Sequence, residues 1–235
     1  MTSTFIKKMK EGEFMTRICS VANSQQLAVC ADSMFTNSIT NQKTTNNQKL
    51  FYGNQMIVGI LGASEVFTFR GVISIGQTIQ NTINSSKSQG LKLRNEIREN
   101  LDRIWVKYGV TQPCLITYFW KGNDKFYMYC EEIRTLVSDF GEQKNLHVYS
   151  PYGNINEENK HLFQFSCLSM QAGDGLLDNP TLEKVSNEVS PLDIAYANTR
   201  KAVENPSIDT VDGPIYGITL DDKGFHIFKE GQLLE

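Results

Sequence analysis

The most constraining stretch of this chain is Met15 to Asp32, MTRICSVANSQQLAVCAD, where two short apolar runs flank a polar turn. Ile18 to Ala22 and Leu27 to Ala31 are made of Ile, Val, Leu, Cys and Ala with little polar interruption, and Asn23-Ser24-Gln25-Gln26 has the composition that reverses a chain. A half-exposed strand alternates apolar and polar residues. These runs are apolar at nearly every position, so the hairpin is expected to be buried on both faces. A sheet covered on both sides needs further layers around it, and that requirement shapes the reading of everything downstream.

The chain is long enough to supply those layers. Its 235 residues are 40% apolar and 10% aromatic, sufficient for one substantial domain with a filled core. A net charge of -3 gives no reason to expect nucleic acid, which calls for a clustered basic face. No run approaches the roughly 18 apolar residues of a membrane helix. Residues 1–14 lack the apolar centre of a secretory signal, and a cytoplasmic location is expected. Cys19, Cys30, Cys114, Cys130 and Cys167 are odd in number and lack CxxC spacing, which fits reduced, buried thiols. His147, His161 and His226 are scattered, so no metal and no cofactor is expected.

Further elements follow from pattern. Thr36 to Gln48 is polar, with six Asn or Gln residues, and leads into Lys49 to Tyr52. Gly53-Asn54 turns the chain into the apolar strand Met56 to Leu61, which ends at Gly62. Ser64 is read as the N-cap of a helix reaching about Asn81, and Leu93 to Tyr108 as a second helix stopped by Gly109. Cys114 to Trp120, Phe126 to Arg134 and Phe163 to Met170 are strands, with a short strand and long loops between Leu136 and Asn159. Ser190-Pro191-Leu192-Asp193 starts a helix running to about Glu204, and Ile215 to Leu220 with Phe225 to Phe228 forms a closing hairpin. Strands at both ends with helices between imply two sheets face to face and helices outside.

If Thr16 is the first residue of the working chain, its hydroxyl is a nucleophile and its own α-amine the base. That amine has a reference pKa of about 7.7 to 8.0, and a buried ammonium nearby would help keep it unprotonated. Lys49 suits that role, with Asp32 holding the lysine, and the N–H of Gly62 could stabilise an acyl-transfer oxyanion. Phe35 and Ile60 flank this group, as substrate-pocket lining or as core.

In these residues the sequence resembles the proteasome β-subunit branch of the N-terminal nucleophile hydrolases, which includes a bacterial heat-shock peptidase working with an unfolding ATPase. The resemblance rests on T-x-I-x-S-V from Thr16 with Ala31-Asp32-Ser33, on Lys49-Leu50, on Ile57-x-Gly59-Ile60-x-Gly62, and on Asp209-x-x-Asp212-Gly213. Asp32 lies sixteen residues after Thr16, the family spacing, and Lys49 lies thirty-three after it, one more than usual. The resemblance implies an α+β fold, a four-layer αββα sandwich, threonine-dependent hydrolysis of peptide bonds, and self-association into a ring or related homo-oligomer. It also implies an unfolding ATPase as a partner.

The resemblance further implies that Thr16, Asp32, Lys49, Gly62 and Asp209 form the catalytic group, supported by loops holding Gly173, Asp174 and Asp212. Active peptidases of this type carry serines where Asp174 and Asp212 stand here, and extra carboxylates would raise the pKa of the threonine amine. Two other readings therefore stay open: a noncatalytic subunit that builds homo-oligomers, and a non-proteolytic amidase or acyl transferase. Residues 1–15 are read as an extension to a single domain over residues 16–235. The extension is a propeptide, an early-placed start or a cloning remnant, and catalysis requires its removal.

Overall fold

The computed structural model describes residues 16–23, 25–36, 42–62, 64–68, 70–110, 114–122, 126–137, 143–149, 167–171, 190–205 and 211–234. The chain opens with β1 (Arg17–Ala22) and β2 (Leu27–Ala31), the expected hairpin, in the register Ile18 to Ala31 and Ala22 to Leu27. The short pair β3 (Phe35–Thr36) and β4 (Lys43–Thr44) follows, then β5 (Leu50–Gly53) and β6 (Met56–Gly62). Their turn sits one residue later than the sequence suggested: Asn54 and Gln55 both have positive φ, 49° and 62°, as a tight hairpin of two left-handed residues requires.

The segment after Gly62 departs from expectation. It enters β7 (Glu65–Thr68) and β8 (Gly71–Ser74), paired Glu65 to Ser74 and Phe67 to Val72, and only then α1 (Ile75–Ser85). Ser64 therefore caps no helix. Ser74 does, its hydroxyl accepting the Gln77 N–H at 3.2 Å. Val66, Val72 and Ile73, which fall within the expected helix, are β-branched residues in strands, where their stiff side chains pack well. Gly62 consequently marks a strand-to-hairpin junction and not the start of a helix.

The remaining elements follow the expected order. They are α2 (Gly90–Tyr108), β9 (Cys114–Lys121), β10 (Phe126–Val137), β11 (Gln143–Tyr149), β12 (Cys167–Gln171), α3 (Pro191–Val203), β13 (Tyr216–Asp221), β14 (Gly224–Lys229) and β15 (Gln232–Leu233). Gly109 ends α2 in the left-handed conformation at φ 60°, and its N–H bonds the Trp105 carbonyl. Ser190 caps α3 by accepting the Asp193 N–H at 3.3 Å, with Pro191 at the first helical position. The part of the expected Phe163 to Met170 strand before Cys167 lies outside the described residues.

Two larger sheets result, both antiparallel in every pairing. One runs β12-β1-β2-β13-β14-β15 and the other β11-β10-β9-β6-β5. Side-chain alternation distributes their residues among three clusters. Ile18, Leu27, Val29 and Ala31 of the first sheet pack with Leu50, Ile57, Leu61 and Phe119 of the second. The opposite side of β1 and β2, Cys19, Val21, Ala28 and Cys30, packs against Ala195 of α3 and Ile215. The opposite side of β6 and β9 packs against Ile79, Ile83, Leu93, Ile97, Leu101 and Trp105 of α1 and α2. The first hairpin is thus buried on both faces, and each fully enclosed aliphatic side chain contributes about 1.5–3 kcal/mol. Cys19, Cys30 and Cys114 are buried and lie outside any disulfide. Burial pushes the Cys30 thiol well above its ordinary range, which leaves it protonated and unreactive.

Candidate active site

The hairpin register decides where Asp32 sits. Pairing Ile18 with Ala31 places Asp32, one residue past β2, opposite Arg17 at the start of β1. The Arg17 N–H donates to Asp32 Oδ1 at 2.8 Å, and the Asp32 N–H returns a bond to the Arg17 carbonyl at 3.3 Å. The Met34 N–H donates to Oδ2 at 3.1 Å, and Lys49 Nζ donates to the same oxygen at 2.9 Å. Lys49 is delivered from the other sheet: it precedes β5, and its carbonyl accepts the Ile60 N–H of β6 at 3.0 Å. The ion pair therefore joins the two sheets beside Thr16.

Asp32 is 1% exposed and Lys49 9%. Burial pulls the Lys49 ammonium below its ordinary range, and the Asp32 carboxylate opposes that pull. Burial likewise pushes the Asp32 carboxyl up, against Lys49 and the N–H groups of Arg17 and Met34. In both groups the cost of removing charge from water is the larger effect.

A cavity of about 230 Å³ opens beside Lys49, and Thr16, Phe35, Lys49, Ile60 and Gly62 all line it. Five residues chosen from sequence, spread from position 16 to position 62, thus meet around one space. Thr16 is 5% exposed. Gly62 has φ 98°, a conformation glycine adopts without strain. Asp32 stands behind Lys49 and is not itself part of the lining.

Asp212 is exposed and also does not line the cavity. Its carbonyl accepts the N–H of the buried Ser33 at 3.3 Å, and its side chain accepts the Gly213 N–H at 2.6 Å, so it anchors its loop against the residue after Asp32. A side chain at Gly213 would meet Ser33 Oγ at 2.7 Å, and its φ of 82° already favours glycine. Asp209, Gly173 and Asp174 lie outside the described residues.

Glu65, Ser74, Gly76 and Gln77 also line the cavity, and sequence reasoning did not place them there. The signal for Ser74 and Gln77 was present, because Ser74-Ile75-Gly76-Gln77 has the serine-to-glutamine spacing of a capping box. Ser64 has no such residue three positions on. Gly76 is small by necessity: a Cβ there would come within 2.2 Å of the Phe51 ring. Gln48 and Lys49 line a second cavity of about 430 Å³ with Tyr52, Tyr216 and Ile218. Among the described residues, no group of three or more His, Cys, Asp or Glu could hold a metal ion, and no helix is long and apolar enough to cross a membrane.

No family model matches the sequence, and no curated protein matches it. Among solved structures, the Anbu (Gly-1) mutant from Hyphomicrobium sp. strain MC1 aligns over 94% of this chain and 86% of its own, at 11% identity and a TM-score of 0.46.

Proposed function

We propose that this chain is an N-terminal-threonine amide hydrolase on a four-layer αββα frame, acting on peptide bonds once residues 1–15 are removed. The observation that carries the reading is the meeting of Thr16, Lys49 and Gly62 on one cavity, with Asp32 bridging the Arg17 N–H and the Lys49 ammonium. In the proposed reaction the Thr16 hydroxyl passes its proton to the freed α-amine as Oγ attacks the substrate carbonyl carbon. Charge gathers on the carbonyl oxygen, where the Gly62 N–H would be the donor. The amine of the substrate leaves with the proton, and an ester on Thr16 remains. Water, deprotonated by the same α-amine, then hydrolyses the ester and restores the threonine.

Lys49 enters this scheme as a field. An ammonium close to the Thr16 amine disfavours its protonation, and a base must be unprotonated to act. Asp32 enters as the anchor that keeps that ammonium buried and aimed. The resemblance in sequence extends the proposal to self-association into a ring or related homo-oligomer, to an unfolding ATPase partner and to a cytoplasmic location.

The test combines mass and covalent labelling. Protein from its native host is expected to begin at Thr16 by intact mass, and a β-lactone is expected to leave one adduct on Thr16. Thr16→Ala should lose the adduct and all peptide turnover with its unfolding midpoint unchanged. A chain retaining residues 1–15 would overturn the proposal, as would a free Thr16 amine that takes no label.

A further inference from the structure

The cavity carries a charge that the proposed chemistry does not use. Among the described residues that line it, the ionisable side chains are Lys49 and Glu65. Lys49 is neutralised by Asp32 at 2.9 Å, both groups being buried. The side chain of Glu65, half-buried at the start of β7, makes no hydrogen bond or ion pair among the described residues. Its backbone is fixed by pairing with Ser74, which holds it across from the first turn of α1. Among the described side chains of the cavity, the Glu65 carboxylate is thus one that no cationic side chain answers.

The first turn of α1 works in the opposite sense. Ser74, Gly76 and Gln77 bring a helix N-terminus to the cavity, equivalent to about half a positive charge. The Ser74 hydroxyl already answers the Gln77 N–H, and half a charge does not cancel a full carboxylate. The apolar part of the lining, Phe35, Phe51 and Ile60, suits an aliphatic stem, and the carboxylate suits its charged end.

Resting on the reading of this cavity as the place where substrate sits, we infer that it selects a peptide carrying a lysine- or arginine-like cationic side chain beside the scissile bond. Glu65 is the residue that reads the charge. A carboxylate at the edge of a partly enclosed cavity, facing a guanidinium, gives charge-assisted hydrogen bonds that a neutral side chain cannot form. Ligand selectivity here is a difference of affinities, about tenfold for each 1.4 kcal/mol.

The experiment measures binding apart from turnover. The Thr16-initiated protein is titrated calorimetrically with the N-acetyl methylamides of arginine, norleucine and glutamate. The arginine ligand is expected to bind roughly tenfold tighter than the norleucine ligand. Glu65→Gln should erase that preference, Glu65→Asp should keep part of it, and Glu65→Lys should turn it toward the glutamate ligand. Thermal melts of each variant establish that it is folded, and the aspartate variant keeps the charge should the others fail to fold.

Equal binding of arginine and norleucine ligands, no binding of either, or a preference untouched by Glu65→Gln would overturn the inference. β-Lactone labelling of the unmutated protein separates the two claims. An adduct on Thr16 without cation preference removes the selectivity and keeps the hydrolase. Cation preference without an adduct does the reverse.

Discussion

Replacing Asp32 by alanine is expected to destabilise the fold by about 3–5 kcal/mol, the cost of leaving a buried charge without its partner. The carboxylate holds three donors: the Arg17 N–H at 2.8 Å, the Met34 N–H at 3.1 Å and Lys49 Nζ at 2.9 Å. Lys49, 9% exposed, makes its ion pair with Asp32 alone among the described residues, and it would be left buried without that partner. Lys49→Met should cost less, because the remaining carboxylate keeps both backbone donors. The double variant Asp32→Ala with Lys49→Met removes both charges and strands only those two N–H groups, about 1–3 kcal/mol each at most. It should therefore be more stable than Asp32→Ala alone. Urea denaturation monitored by circular dichroism reads all four members of this cycle, with the slope m checked for constancy so that midpoints can be compared as free energies. If Asp32→Ala lies within about 1 kcal/mol of the parent, or if the two single effects simply add, the buried pair does not join the sheets as described.

Other expectations concern the sheet contact, the C-terminal hairpin and the cavity. Gly59 is where β6 meets Ile18 of the other sheet: a Cβ there would lie 2.6 Å from Ile18 Cδ1 and 2.6 Å from Thr117 Oγ1. Gly59→Ala should thus cost about 1–3 kcal/mol by overpacking, read as a lower urea midpoint, and an unchanged midpoint would mean that the sheets pack less closely there. Burial alone would raise the Glu230 carboxyl, but the Ile215 N–H at 2.6 Å, the Tyr196 hydroxyl at 2.9 Å and Arg200 together hold it below its ordinary value of 4.5. Its stabilising contribution is therefore complete above that value and is lost as pH falls through the lowered one. Glu230→Gln should flatten the acid limb of a melting-temperature profile, and a limb of unchanged slope would refute the assignment. Gly76→Val, which drives a branched side chain into the Phe51 ring beside the cavity, should both destabilise the protein and reduce β-lactone labelling of Thr16.

Local pattern carried much of this fold. The doubly apolar runs around Asn23 to Gln26 announced a hairpin covered on both faces, because a strand that faces water on neither side has no reason to alternate. Caps were legible at Ser190 and Gly109 because their chemistry is confined to a few neighbouring residues. The segment after Gly62 is ambiguous in sequence because Val66, Val72 and Ile73 satisfy a helical spacing and a strand composition at once, and the structure resolves it as strands. The capping box at Ser74 to Gln77 was the local signal that would have placed the helix correctly.

What the sequence offered by itself is a set of candidate residues, Thr16, Asp32, Lys49 and Gly62, through motif resemblance and spacing, and the strands that carry them, which follow from neighbours within a few positions. Only the tertiary structure decided that Thr16, Lys49 and Gly62 share one cavity and that Lys49 reaches Asp32 across two sheets. It also brought Glu65 to the same space through a hairpin where sequence pattern alone predicts a helix. The physical reason is one of range. Capping, turns and burial patterns are set by contacts between near neighbours, whereas the depth of a charge and the company it keeps depend on how distant strands pack, which no local window contains.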